Sequence, residues 1–254
     1  MYIVAIRDPV CHATDAAQAL AEALGVTLLE ARGRLHGEGA RVVAVAQSEA
    51  KASALAAAVA ARGFGPFVVS DAERKHDERE TVPVDGFTFH PLSFEARTRR
   101  HGAIGLPYHA IRLLVLGLRI VRTATTEVEP HRAVSLGHAL AIGGRALTRR
   151  LETETSRVEE QRTRFLRVFS LGRQPLDLAE DGLDFVALGD AMLPTRAANF
   201  LWLVRQLRDR AGNAVFDERL VTRPGQIQVL SERLPPAKYL ETAVSLLARA
   251  RGAR

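Results

Sequence analysis

Eight histidines and one cysteine are the residues of this sequence that could bind a metal ion or act in nucleophilic catalysis. The histidines are spread along the chain without the short spacing of a metal site, and a single cysteine does not complete a zinc site with them. Cys11 and His12 are adjacent, whereas a nucleophile and its base are normally brought together from separate elements. We therefore expect no metal, no cofactor and no catalytic residue, and we predict that the protein is not an enzyme.

Arginines in the central part of the chain are the strongest chemical signal. Residues 97–173 contain fifteen basic and six acidic side chains, which gives this stretch a net charge of +9. Guanidinium groups match the geometry of phosphate and carboxylate groups, so we predict that these arginines bind anions. The candidates form three groups, which are Arg97, Arg99 and Arg100; Arg119 and Arg122; and Arg145, Arg149 and Arg150.

Several partners remain open for this basic stretch. A net charge of this size could attract nucleic acid, anionic lipid headgroups or an acidic protein surface. Aromatic residues, on which the bases of a single strand would stack, make up only 6% of the chain. Glu152, Glu154, Glu159 and Glu160 could also neutralise nearby arginines, in which case the stretch would be a solvated surface without a ligand.

Composition limits the class of protein. A chain of 254 residues with 47% hydrophobic content is long enough for one large or two ordinary domains. The single cysteine fits a reducing compartment, and the N-terminus lacks the pattern of a signal peptide. The longest apolar stretch, residues 111–121, is interrupted by arginines and is too short to span a bilayer. We therefore predict a cytoplasmic protein.

The first seventy residues predict a small domain with the element order β-α-α-β-α-β. Short β-branched runs favour strands, and Thr27 with Glu30 has the spacing of a capping box at the start of a helix. Gly25 and Gly63 follow the apolar periodicity of two helices and are expected to end them. The predicted strands are residues 2–7, 41–46 and 64–70, and the predicted helices end at residues 24, 35 and 62.

The remaining residues predict a linker, a second domain and a helical extension. Residues 72–85 begin with a charged run that has no apolar anchor, so we predict an unordered linker. Residues 86–212 read as mainly β, with a polar insertion at about 123–160 and an amphipathic capping helix at 199–211. A final helix at 239–251, within the extension 213–254, could close the core or bind a partner helix. The predicted fold class is α+β.

Residues 1–71 resemble the ClpS adaptor family, and equally the C-terminal domain of the bacterial ribosomal stalk protein. The first strand ends in Arg7-Asp8-Pro9, the first helix ends at Gly25, and His36 precedes a glycine turn. In the ClpS family, acidic residues and a histidine grip the N-terminus of a substrate peptide for a protease. The resemblance therefore implies that Asp8 and His36 bind a peptide, although Arg7 and Pro9 depart from the family pattern.

Residues 86–212 resemble bacterial pleckstrin-homology-like modules, in which successive strands are capped by one amphipathic helix. The resemblance depends on the stretch LPYHAIRLLVLG at 106–117, the strand RFLRVF at 164–169 and the helix that begins with Asn199-Phe200. It implies a binding scaffold.

These observations predict a non-enzymatic adaptor or regulatory scaffold that binds a protein partner, through a face of the N-terminal sheet left free for docking. The alternative is an anion-binding protein that uses the central arginines to contact nucleic acid or anionic lipid headgroups. Salt distinguishes the two, because bound arginines release counterions and their binding falls steeply with ionic strength.

Overall fold

The computed structural model describes residues 1–7, 13–36, 40–134, 148–222 and 236–252. Its fold combines helices with several sheets, which confirms the predicted α+β class. Residues 1–119 and 163–254 form one compact unit, and residues 120–162 form another.

The N-terminal elements follow the predicted order. They are β1 (Tyr2–Ile6), α1 (Ala13–Leu24), α2 (Leu28–Leu35), β2 (Arg41–Ala46), α3 (Glu49–Ala60) and β3 (Pro66–Ser70). The three strands form an antiparallel sheet in the order β2-β1-β3, with Ile3 of the central strand opposite Val45 and Val69.

Helix starts in this region are set by local hydrogen bonds. Thr27 Oγ1 accepts the backbone N–H of Glu30 at 3.3 Å, and the Glu30 carboxylate accepts the N–H of Thr27 at 2.8 Å, which confirms the predicted capping box. The backbone hydrogen bond from Thr27 lowers the pKa of Glu30, because it favours the charged carboxylate. Ser48 is the N-cap of α3, and its side chain accepts the N–H of Lys51 at 3.4 Å.

Both faces of the N-terminal sheet are covered. Val4 and Ile6 of β1 pack against α1–α3, and Ile3 and Ala5 pack in a second cluster with the C-terminal helix α7 (Pro236–Ala250). The expected free docking face is therefore absent from this sheet. The physical reason lies in β1, whose successive apolar residues point alternately to the two faces, so that each face needs an apolar cover. Of the two roles left open for the final helix, the structure shows that it closes the core.

The predicted linker at 72–85 is wrong, because this stretch forms α4 (Asp71–Glu80) and β4 (Val82–Val84). Arg74 and Asp77 of α4 are buried despite their charge. The Asp77 carboxylate accepts hydrogen bonds from Ser245 Oγ at 2.6 Å and from Arg249 at 3.3 Å, both on α7. Polar partners from the distant C-terminal helix replace the apolar anchor that the local sequence lacks.

Two further sheets complete the fold. One is antiparallel and contains β5 (Gly86–Phe89), β6 (Ser93–Thr98) and β7 (Gly102–Pro107). The other has the order β11-β8-β9-β10-β4, and its remaining strands are β8 (Ile111–Val134), β9 (Thr148–Ser170), β10 (Leu176–Ala179) and β11 (Val215–Glu218). The predicted extension 213–254 is therefore not only helical, since β11 pairs in parallel with β8.

The amphipathic helix predicted at 199–211 is confirmed as part of α5 (Arg196–Arg210), which is followed by the short α6 (Arg219–Thr222) after β11. The apolar face of α5, formed by Phe200, Leu203, Val204 and Leu207, is buried in the core with β8 and the β5–β7 sheet. Within the predicted polar insertion, the described backbone forms strand, up to Val134 in β8 and from Thr148 in β9. Residues 135–147 lie outside the described part of the chain. Among the described residues, no helix combines the length and the hydropathy needed to cross a bilayer.

Candidate functional site

Of the two residues predicted to bind a peptide, Asp8 and His36, the structure describes only His36. Asp8 lies outside the described residues, as do Cys11 and His12. His36 follows α2 with an exposed side chain, and its backbone N–H donates to the carbonyl of Gly33. It lines neither of the two cavities described below. Peptide binding by Asp8 and His36 stays a prediction.

Four of the eight candidate arginines converge on two adjoining cavities. Arg97 and Arg99 line the first, and Arg99, Arg100 and Arg119 line the second. Arg145 lies outside the described residues, and so do the side chains of Arg122, Arg149 and Arg150, whose backbone belongs to β8 and β9. The fold thus brings the group of Arg97, Arg99 and Arg100 together with Arg119 of the second group.

The first cavity, which we call the groove, is an open cleft of about 690 Å³. One wall is formed by residues 182–186, a second by residues 192–196 with Asn199 of α5, and a third by Asp85, Arg97 and Arg99. The groove therefore combines segments that are about a hundred residues apart in the sequence.

Large apolar side chains stand exposed on two walls of the groove. Val186 is 71% exposed, Met192 48% and Leu193 39%. Exposed apolar side chains that are grouped together and rimmed by charged residues are typical of interaction sites.

Arg196 holds the 182–186 wall in place. Its guanidinium donates to the backbone carbonyls of Glu180 at 3.0 Å, Asp181 at 3.1 Å and Leu183 at 2.6 Å, and it lies 5.6 Å from the centre of the Phe185 ring. Three acceptors match the several donors of one guanidinium, a pattern that the ammonium group of lysine fits less well. Arg196 is thus occupied in shaping the groove.

Asn199 fixes the opposite wall. Its side chain is buried, its Oδ1 accepts the N–H of Leu193 at 2.6 Å, and its Nδ2 donates to the carbonyl of Leu193 at 3.0 Å. A primary amide can satisfy both backbone groups of one residue in this way. Leu193 is therefore presented to the groove from a fixed backbone.

Replacement of Asn199 by alanine is expected to lower the free energy of unfolding by about 1–3 kcal/mol, because two backbone groups lose their partner. Asn213→Ala is the matched control, since Asn213 is exposed and should change the free energy by less than about 0.5 kcal/mol. Urea unfolding followed by circular dichroism measures both variants. Equal stability of the two variants would show that the clamp on Leu193 contributes nothing.

The second cavity, which we call the arginine cavity, has a volume of about 380 Å³. Arg99, Arg100 and His101 line it from the loop between β6 and β7, and Arg119 and Asp177 line it from β8 and β10. Its apolar lining comes from residues 82–84 of β4 and from Ala179.

The loop that carries Arg99, Arg100 and His101 is held by its two ends. Thr98 pairs with Gly102 across the hairpin, and Thr98 Oγ1 accepts the N–H of His101 at 2.9 Å and donates to the carbonyl of Gly102 at 3.1 Å. Gly102 has φ +67°, the left-handed conformation that commonly closes a three-residue hairpin loop. The loop geometry therefore presents three consecutive basic side chains to one cavity.

Behind the arginine cavity lies a cluster of four charged side chains. Arg167 is 4% exposed, and its guanidinium pairs with Glu241 at 3.1 Å and with Asp177 at 3.3 Å. Arg119 pairs with Asp177 at 3.2 Å and with Glu241 at 3.7 Å. Burial lowers the pKa of Arg167, but the two carboxylates more than offset this, so the net change raises its pKa. The cluster is balanced and connects β8, β9 and β10 to α7.

Within the described ranges, no three His, Cys, Asp or Glu side chains lie close enough together to hold a metal ion.

Comparison with known proteins finds no family model, no curated protein and no solved structure that matches this chain. The resemblances to the ClpS family, to the stalk protein domain and to pleckstrin-homology-like modules therefore stay predictions.

Sequence reasoning missed the residues that shape the groove. Residues 186–191 form a short 3-10 helix, and Met192 and Leu193 follow it directly. Several apolar residues in such a stretch, followed directly by Pro194, were the available signal. The sequence around Asn199 gave no sign of its hydrogen bonds to Leu193, because Leu193 lies outside the helix that contains Asn199.

Proposed function

We propose that this protein is a cytoplasmic, non-enzymatic adaptor or scaffold that binds an extended segment of a partner protein in the groove. The observation that carries the proposal is the exposure of Val186, Met192 and Leu193 in one cleft beside Arg97 and Arg99. The segment we expect carries apolar side chains followed by an acidic one.

Charge at the groove favours an acidic partner. Arg97 is already paired, with Asp184 at 3.1 Å and with Asp85 at 3.5 Å. Arg99 is 89% exposed and has only a longer contact of 3.6 Å to Asp85 among the described residues. A carboxylate on the partner could therefore pair with Arg99 while its neighbouring side chains cover the apolar walls.

Rigidity of the walls also supports a binding role. Asn199 and Arg196 fix the two segments that carry the apolar side chains, so little conformational entropy is lost when a partner binds. The N-terminal sheet is a less suitable docking surface than the groove, since α7 covers the face that was expected to be free.

Val186→Asp is expected to weaken peptide binding by at least about tenfold, because an acidic side chain replaces an exposed apolar contact in the groove. Peptides for this test are selected from a displayed random library against the full chain. Their dissociation constants are then measured by fluorescence anisotropy with the wild-type protein and the variant.

Leu29→Asp is the control, since Leu29 is an exposed apolar residue on α2 that does not line the groove. Its affinity for the selected peptides should equal that of the wild type. Failure to enrich any peptide, or an equal loss of affinity in both variants, would rule the groove out as the binding site.

A second candidate function is contact with nucleic acid or anionic lipid headgroups through the arginine-rich segment. The convergence of Arg99, Arg100 and Arg119 on one cavity favours it. It predicts that binding falls steeply between low and moderate salt, whereas a groove with apolar walls should retain its partner.

A further inference from the structure

We infer that the arginine cavity is a binding site for a small organic phosphate, in addition to the partner site in the groove. The inference depends on the charge, the loop geometry and the apolar lining of the cavity. It does not require that the groove bind a peptide.

In the described part of the chain, Arg100 is the arginine at this cavity that lacks a nearby carboxylate. Four arginines each have a carboxylate partner within 4 Å, and the pairs are Arg97–Asp184, Arg99–Asp85, Arg119–Asp177 and Arg167–Glu241. Among the described residues, the guanidinium of Arg100 has no ion pair or hydrogen bond, and neither has the ring of His101. One positive charge, next to a second group that can donate a hydrogen bond, therefore faces the cavity without a counter-charge.

Because the backbone of the loop is already fixed, little conformational entropy is lost when Arg100 binds a ligand. Thr98 and Gly102 fix the hairpin loop, so that Arg100 and His101 extend from a defined backbone. A phosphate group could accept a bidentate pair of hydrogen bonds from Arg100 and a further one from His101 or Arg99.

The rest of the lining selects a small molecule with an apolar part. Val82, Pro83, Val84 and Ala179 line the cavity together with the arginines, and they could contact the organic group that carries the phosphate. The volume of about 380 Å³ lies within the range of small-molecule sites. Among the described residues, the lining contains no phenylalanine, tyrosine or tryptophan on which a nucleobase could stack, so a nucleic acid strand fits it less well.

The test is an NMR titration of the full, isotope-labelled chain with phenyl phosphate, inorganic phosphate and phenol. We expect phenyl phosphate to bind more tightly than inorganic phosphate, and its chemical shift changes should centre on residues 98–102. Phenol should leave the spectrum unchanged. Arg100→Gln should weaken phenyl phosphate binding about ten- to a hundredfold. The affinity of Arg100→Lys for phenyl phosphate should lie between those of the wild type and Arg100→Gln, since lysine keeps the charge but lacks the planar pair of donors.

Arg173→Gln is the control, because Arg173 is exposed and does not line the cavity. Its affinity should equal that of the wild type, and an equal loss in Arg100→Gln and Arg173→Gln would overturn the inference. Vesicles of phosphatidylcholine with phosphatidic acid test the lipid source of the same phosphate group. If the protein bound these vesicles but not phenyl phosphate, the ligand would be a membrane surface and the inference would be wrong. The inference would also be wrong if no phosphate probe bound.

Discussion

Arg167→Met is expected to lower the free energy of unfolding by about 3–5 kcal/mol, because it removes one partner from a buried charge cluster. Arg167 is 4% exposed and pairs with both Asp177 and Glu241. Without it, two largely buried carboxylates would share the single guanidinium of Arg119. The variant also loses the hydrogen bond from Arg167 to Thr81, which connects β9 to the start of β4.

Arg164→Met provides a matched control on the same strand. Arg164 is partly exposed and pairs with Glu180 at 3.2 Å, an interaction that solvent screens. We expect this substitution to change the free energy of unfolding by less than about 1 kcal/mol. Urea denaturation followed by circular dichroism measures both. If the two variants lost the same amount of stability, the buried cluster would not have the structural role assigned to it.

Leu246→Ala is expected to cost about 2–5 kcal/mol of the free energy of unfolding, since the cavity it leaves lies in a packed interior. Leu246 is 2% exposed and belongs to the apolar cluster that α7 shares with β1, β2 and β3. The same measurement therefore reports on whether the C-terminal helix covers the N-terminal sheet.

Leu201→Ala makes the same chemical change on a helix surface, because Leu201 on α5 is 41% exposed. Its expected loss is below about 1 kcal/mol. Leu246→Met, which nearly conserves volume, should cost less than about 1.5 kcal/mol and keeps the test valid if the alanine variant fails to fold. A small loss in Leu246→Ala, equal to that in Leu201→Ala, would contradict the packing of α7 on the sheet.

The N-terminal elements could be predicted because their signals are local. The capping box of Thr27 and Glu30 acts over three residues, and Gly25, with φ +64°, ends α1 because it adopts the left-handed conformation. The four core-facing residues of α5 follow from helical periodicity in the same way. Signals of this range are readable from a single sequence.

The helix formed by residues 71–80 could not be predicted, because the residues that stabilise it are distant in the sequence. Asp77 is held by Ser245 and Arg249, which follow it by about 170 residues. The run of charges looked solvated since none of these partners is near in the sequence. The expectation of a free face on the N-terminal sheet was wrong for a similar reason, because α7, which covers this face, comes from the other end of the chain.

The candidate sites were predictable only in part. The basic cluster of Arg97, Arg99 and Arg100 was visible as a composition signal, and the fold places Arg99 and Arg100 in the cavity that Arg119 also lines. The groove depends on contacts between residues that are distant in the sequence, such as Arg97 with Asp184, which are 87 positions apart. No local pattern specifies such a pairing.

Hydrogen–deuterium exchange of the full chain, with and without a library-selected peptide, measures directly whether the groove binds a protein segment. We expect slower exchange at residues 182–199 when the peptide is bound, and unchanged exchange in α2, which does not line the groove. Unchanged exchange at residues 182–199 in the presence of saturating peptide would contradict it.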